Sequence, residues 1–333
     1  MRIRTYSAVI TVGVALGAAI SAAPAAKAEV VLRSVTGLPA QSVVSQVFLR
    51  FVGPANQRGK GLVRINNIGG PEITPPFKQA SALKRGLFEV LYTPAAFYAG
   101  QINEVDALIA SNMSIQKIRA NGGFALLQKI WAEQLGVHVL GWFDTHVRFH
   151  MYFKKKPKVT AAGADLSGIK MFTTPTFREF QAALGATPIR MKVSEILTGM
   201  DRGLIQGMGW PEYGMTALGL GRVIKYRLDP TYYRGNILTL VNGDAWKKLP
   251  NKAKAFLKKE VIAYEAISKK FVDSQIVREQ GILKKGGMKV LKLEGEAGRK
   301  YRHLAHDIAW KRLERRSPKY AKQLRALLYD PNL

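Results

Sequence analysis

Hydrophobic positions along this chain switch repeatedly between a period of two and a period near 3.6, so short strands and helices alternate from end to end. Residues 30–35 alternate as a strand, pass through Thr36-Gly37-Leu38-Pro39, and continue into a helix on which Val43, Val44, Val47, Phe48 and Phe51 share one face. A second strand over 62–68 meets Gly69-Gly70-Pro71-Glu72, and a helix around 77–85 leads to a third strand, 87–92, ended by Thr93-Pro94. Strand, turn and helix repeated in this order predict a doubly wound, mostly parallel sheet whose ligand end lies at the strand carboxyl termini. The three turns should therefore face one crevice.

A second set of elements starts after Gly136, with strands at 137–143 and 147–153 and a basic loop over 154–160. The segment 165–211 then reads as βαβα. Its first strand is 168–173; Thr176 with Glu179 forms a capping box; Phe177, Phe180 and Leu184 recur at helical spacing and Gly185 stops the helix. Residues 189–193 form the next strand, Ser194 caps the next helix, Gly203 ends it, and 206–211 turns back. Beyond lie an apolar strand at 237–241 and the longest helical pattern, 245–281, with Leu257, Val261, Tyr264, Ile267 and Phe271 on one stripe. Its stretch 251–280 would reach about 45 Å, more than the width of one domain of this size. A short strand, 288–293, and a helical tail from Ala297 complete the pattern.

Composition narrows the function classes. Residues 1–28 read as a cleaved secretory leader, with Arg2 and Arg4, an apolar stretch over 8–20 and Ala26-Lys27-Ala28 as a small-x-small site. Cleavage leaves 305 of 333 residues, enough for two domains of ordinary size, each with a core. The absence of cysteine excludes disulfides, thiolate metal sites and thiol nucleophiles. Lys and Arg number 51 against 23 Asp and Glu, and removing the leader's three basic residues from the formal +28 still leaves +25. The basic residues are scattered, dense only at 154–158 and 311–316, and no nucleic-acid motif surrounds them, so a solvated basic surface is expected and no nucleic-acid partner. His303 and His306, one turn apart among arginines, read as surface-helix residues, and no metal or cofactor is expected. With no phosphate loop, dinucleotide fingerprint or nucleophile elbow, binding without catalysis is the economical inference.

The order Asp165-Leu166-x-Gly168-x-Lys170, then Gly185-Ala186-x-Pro188, then Glu195 to Gly203 and Gly207, resembles the substrate-binding proteins of TRAP transporters, the DctP-type family. Trp246-Lys247-Lys248-Leu249-Pro250 and the turn from Gly287 to Val290 sit where that family has similar ones. The resemblance implies an α/β, two-lobe periplasmic binding protein fold, each lobe an open, mostly parallel sheet with flanking helices, and a long helix spanning both lobes. Lobe I is expected over 29–145 plus 220–250, lobe II over 146–219 plus 282–333, and the bridging helix over 251–281. It implies a periplasmic protein that captures an organic acid by hinge closure and hands it to TRAP-type integral membrane subunits. A periplasmic ligand sensor for a signalling receptor is the alternative, and an anionic-surface binder a third.

Two family positions depart from the pattern. The arginine that clamps a substrate carboxylate falls on Phe172, and the aspartate before the last glycine falls on Gln206. Phe172 and Trp210 together suggest a pocket for an aromatic or apolar-bodied acid. Thr173 follows Phe172 at the same strand end. Arg148, alternating with His150 on one strand face, lies where the family has a second binding arginine and is the expected carboxylate partner. Thr36, Glu72, Thr93 and Tyr98 sit on the first-lobe turns and are expected to orient the ligand.

Overall fold

The computed structural model describes residues 29–332, so the expected leader lies outside the described residues. The chain first builds β1 (Val30–Thr36), α1 (Val43–Arg58), β2 (Val63–Gly69), α2 (Gln79–Lys84), β3 (Val90–Pro94), α3 (Val105–Ala110), α4 (Ile115–Ala120), α5 (Gly123–Leu135) and β4 (Val137–Phe143). It then crosses to β5 (Phe149–Phe153), the hairpin β6 (Lys158–Thr160) and β7 (Gly163–Asp165), β8 (Lys170–Phe172), α6 (Arg178–Ala183), β9 (Thr187–Ile189), α7 (Ile196–Asp201), β10 (Gly207–Pro211) and β11 (Tyr226–Asp229). A second crossing leads to β12 (Ile237–Asn242), α8 (Gly243–Lys248), α9 (Asn251–Lys285), β13 (Lys289–Lys292), α10 (Gly295–Arg316) and α11 (Pro318–Leu328).

The strands form two large sheets, in the orders β2-β1-β3-β12-β4 and β13-β11-β5-β10-β8-β9. In the first, β12 alone runs against its neighbours; in the second, β5 alone does. Each antiparallel strand is the first one laid down after the chain changes sheet. A connection that leaves one sheet at its carboxyl edge enters the other at the matching edge, so the strand it feeds points the opposite way. The carboxyl ends of both parallel sets are thereby turned toward the two crossings.

Local sequence explains the elements that hold these ends. The Ser42 side chain accepts from the Ser45 N–H at 3.2 Å and starts α1, whose Val44, Val47, Phe48, Phe51 and Ala55 are buried in the first-lobe core. Gly136, at φ 65°, ends α5, and its N–H returns to Ala132. The 35 residues of α9 extend about 52 Å. Its first half packs on lobe I through Leu257, Val261 and Tyr264, whose hydroxyl donates to the Val47 carbonyl at 3.0 Å. Glu265 there accepts from Trp142 N–H at 2.9 Å and from Arg119 at 2.6 Å. The second half serves lobe II: Leu283 joins its core and Gln280 Nε2 donates to the Glu212 carbonyl at 2.7 Å.

α10 makes a second tie. Arg312, 3% exposed, donates to both Asp106 carboxylate oxygens on α3 at 2.7 and 2.8 Å, and to the Thr176 carbonyl of the other lobe at 3.2 Å. The basic run at 311–316 is thus partly internal: Arg315 meets Glu179 at 3.0 Å and Arg316 donates to the Ala99 carbonyl at 2.8 Å. In the other basic run, Lys154 donates to the Met200 carbonyl at 2.7 Å near the end of α7.

Several boundaries differ from the sequence expectation. Residues 220–229, expected in lobe I, include β11, which pairs with β5 and β13 in the second sheet. The tail expected in lobe II packs α10 and α11 against α3 as well. The expected capping box at Thr176 does not form: its hydroxyl pairs with Thr174, and Glu179 is drawn to Arg315. The strand expected at 189–193 ends at Ile189, where its partner β8 runs out at Phe172, and Ser194 lies within a 3-10 turn whose Glu195 accepts from the Lys192 N–H. The third strand begins later than expected because Glu89 turns aside to bind Arg33. The expected helix over 77–85 opens as a 3-10 turn, and Leu249-Pro250 breaks the pattern at 245–281 into α8 and α9.

Candidate functional site

At the carboxyl edge of the first sheet, the ends of β1, β2 and β3 converge. Gly37 follows β1 so closely against β3 that a Cβ there would collide with the Thr93 hydroxyl. Thr93 is itself buried and shares a 2.9 Å hydrogen bond with the Tyr98 hydroxyl. Burial pushes the Tyr98 hydroxyl well above the ordinary phenol range, with the Thr93 bond opposing it. Thr36 donates to the Leu38 carbonyl at 2.9 Å, and Gly70 lies against both Thr36 and Glu72. Glu72, exposed, accepts from the Gly70 N–H at 2.6 Å. The four predicted first-lobe residues are therefore brought to one edge. Thr93 and Tyr98 are turned inward and satisfy each other, while Glu72 remains open to solvent.

At the facing edge of the second sheet, Phe172 ends β8 and Trp210 lies near the end of β10, their ring centroids 6.4 Å apart. Phe172, expected as a pocket wall, is only 3% exposed and packs with Ile196, Met200, Ile205 and Met208. Trp210 is half-buried, and its buried indole N–H has no hydrogen-bond partner among the described residues. Thr173, which follows Phe172, is buried and donates to the Thr174 carbonyl at 3.1 Å.

Beside Trp210, and paired with it across the strands, stands His150, 3% exposed. Its Nδ1 is 2.9 Å from Asp229 and its Nε2 3.7 Å from Glu212. Burial works to lower the imidazole pKa, but the two carboxylates outweigh it and raise it. They in turn are held down: burial favours their neutral forms, and His150, with Arg227 on Asp229 and the Arg148 N–H on Glu212, reverses that. Arg227 donates to Asp229 at 2.9 and 3.0 Å and to Gln280 on α9 at 2.7 Å. An alternating chain of charge thus runs from the bridging helix through the sheet to the loop after Trp210.

The crossings lie between the two edges. Val147 and Gly235 backbones pair, as do Phe149 and Tyr233, and a Cβ on Gly235 would strike the Asp144 carbonyl. Asp144, at φ 58°, is buried and accepts a hydrogen bond from Tyr213 of the loop after β10. Burial pushes its carboxyl up to about 6, against the Tyr213 bond. Arg148, expected to reach the ligand, instead donates to the Thr145 and Val147 carbonyls at 2.8 and 3.3 Å. It lines a cavity whose walls include neither Phe172 nor Trp210. Among the described residues, no group of three His, Cys, Asp or Glu side chains is placed to hold a metal.

Two sheets joined by a paired double crossing and braced by one long helix have a counterpart among known proteins. The family model of bacterial extracellular solute-binding protein, family 7 (DctP) matches residues 35–313. The chain belongs to this family. A TRAP periplasmic solute-binding protein from Desulfovibrio salexigens, solved with bound orotic acid, superposes with a TM-score of 0.78 at 18% identity, covering 90% of this chain and 97% of that one. A marine metagenome TRAP solute-binding protein specific for aromatic acid ligands, solved with metahydroxyphenylacetate, gives 0.73 at 18% identity over 90% and 98%. A curated relative, a solute-binding protein of Roseobacter denitrificans, is 25% identical over 136 residues. That match spans 40% of this chain and 42% of the relative.

Within the DctP frame, the departure at Gln206 has a local reason. Its side chain accepts from the Lys170 N–H at 2.7 Å and donates to the Gly203 carbonyl at 3.2 Å, closing the turn between α7 and β10 onto β8. Site residues that were not singled out are Glu212, Asp229, Arg227, Tyr213, Asp144 and Arg234. Only His150 carried a sequence signal, its alternation with Arg148; apart from Arg227 and Asp229, neighbours on β11, the others meet across separations of about fifty residues or more that no short motif records. His306, expected on the surface, is half-buried, its Nδ1 2.8 Å from the Ala110 carbonyl.

Proposed function

We propose that this chain is the extracytoplasmic receptor of a TRAP-type transporter: exported by its N-terminal leader, it closes on an organic acid between its lobes and presents it to membrane subunits. The observation that carries this reading is the convergence of both sheet edges on the double crossing. The Thr36-Gly37-Leu38 and Gly69-to-Glu72 turns lie at the strand carboxyl ends of one sheet, and Phe172 and Trp210 at the strand carboxyl ends of the other. A ligand touching both edges favours the closed arrangement by the difference in its affinity for closed and open forms. Membrane subunits could read that difference.

Trp210 supports an acid with an aromatic or apolar body, since its half-buried ring offers a stacking wall. The structural relatives solved with orotic acid and metahydroxyphenylacetate agree with that chemistry. His150 positions Trp210 and the Glu212 loop, both of its nitrogens being engaged with carboxylates. Small-angle scattering of the chain lacking residues 1–28 tests closure. An aromatic or other organic acid at saturating concentration should shrink the radius of gyration, and an unchanged radius with every acid that binds would overturn the hinge reading.

A further inference from the structure

On the α10 side of the crossings lies a cavity of about 530 Å³ lined by Arg148, Arg234, Arg299, Arg302, His303 and His306 together with neutral groups and, among the described residues, by no Asp or Glu. Arg148 and Arg234 occupy directly opposed positions on the two crossing strands. Like charges placed opposite each other across a strand pair repel. Arg234 is 3% exposed, and its guanidinium is met only by neutral groups: the Thr145 carbonyl at 2.8 Å, the Ser111 hydroxyl at 3.1 Å and the Met113 carbonyl at 2.6 Å. Its second terminal nitrogen has no hydrogen-bond partner among the described residues. Burial first, and then the Arg148 charge, disfavour its positive form. An arginine buried without a counter-charge is costly, and Arg234 is in addition held opposite a second arginine.

We propose that this cavity is a binding site for a small oxyanion, of which inorganic phosphate is the type, held between the Arg148–Arg234 pair at its floor and Arg299 and Arg302 at its rim. Forked guanidinium N–H groups match the oxygens of such an ion, and among the described residues no carboxylate side chain lines the cavity. The neutral groups beside them are Ser111 and Asn112 from the α3–α4 connection of lobe I and Thr231 from the second crossing. An occupant therefore touches lobe I, the crossings and α10 at once, and favours one hinge angle over others. The site is separate from the acid-binding cleft and stands or falls without it.

The test uses the chain lacking residues 1–28 and its R299Q/R302Q variant, both substitutions being at exposed positions of a helix. Thermal unfolding is followed in about 20 mM inorganic phosphate and in chloride at the same ionic strength, so that general screening of the positive charge cancels. Phosphate should raise the wild-type Tm by about 2 °C or more over chloride, and the double variant should lose most of that rise. The His306 imidazole, pulled by burial down to about 4, should titrate at higher pH in phosphate because an anion beside it stabilises its charged form. Equal Tm values in phosphate and chloride, or an equal phosphate effect in wild type and variant, would overturn the proposal. So would a variant destabilised in chloride with no phosphate effect in either protein, because the counter-charge would then come from the protein itself.

Discussion

Tyr213, in the loop after β10, donates its hydroxyl to the Asp144 carboxylate at the start of the first crossing, and both groups are buried. The other Asp144 oxygen has no partner among the described residues, and burial holds this carboxyl up near 6 against an ordinary value of 3.8. A folded pKa raised above the unfolded one means that the native state binds the proton more tightly. The stability from this group is complete below about pH 4 and is lost as pH rises through about 6. Asp144→Asn keeps an acceptor for Tyr213 and tolerates the left-handed backbone, so it should match wild type near pH 4 and exceed it above pH 6, by at most about 3 kcal/mol. Urea midpoints of both proteins across pH 4–7 check this; a difference that does not change with pH would contradict it.

Arg312 and Asp106 make the opposite kind of contact, a buried ion pair with both carboxylate oxygens engaged. Removing one partner strands the other charge, at a cost of about 3–5 kcal/mol. Asp106→Asn should therefore lower the Tm by several degrees, and Asp106→Asn with Arg312→Met should recover part of the loss. Differential scanning calorimetry of the single and double variants measures the coupling, and additive losses would show that the pair is not the connection described.

Phe172 and Trp210 should separate in mutagenesis although their rings are neighbours. Phe172→Arg places a cation among Ile196, Met200 and Met208, so the variant should be strongly destabilised or fail to fold. Trp210→Ala exposes a half-buried site and should leave the fold standing while weakening acid binding about tenfold or more, the worth of one well-placed aromatic anchor. Circular dichroism melts and binding titrations of the two variants make the comparison.

The legible part of the fold is the part written locally. β1, α1, β4 and α9 show their period over enough residues to survive, and the glycine, proline and aromatic punctuation of 165–211 carries the family order. Short elements shifted because long-range partners decided them: Arg33 drew Glu89, and Arg315 drew Glu179 away from a cap. β11 sits in the second sheet, on β5 and β13, which its own four residues could not announce. At the site, the strand-end turns were readable from the alternation, yet the inward turn of Phe172, the carbonyl contacts of Arg148 and the Asp229–His150–Glu212 chain depend on packing between distant segments.

Isothermal titration of the chain lacking residues 1–28 with a panel of organic acids, aromatic acids and orotate included, tests the cleft most directly. At least one acid should bind with one-to-one stoichiometry, and Trp210→Ala should weaken that acid by about tenfold or more. No binding by any acid of the panel, or undiminished affinity in the folded Trp210→Ala variant, would contradict the placement of an organic acid between the two sheet edges.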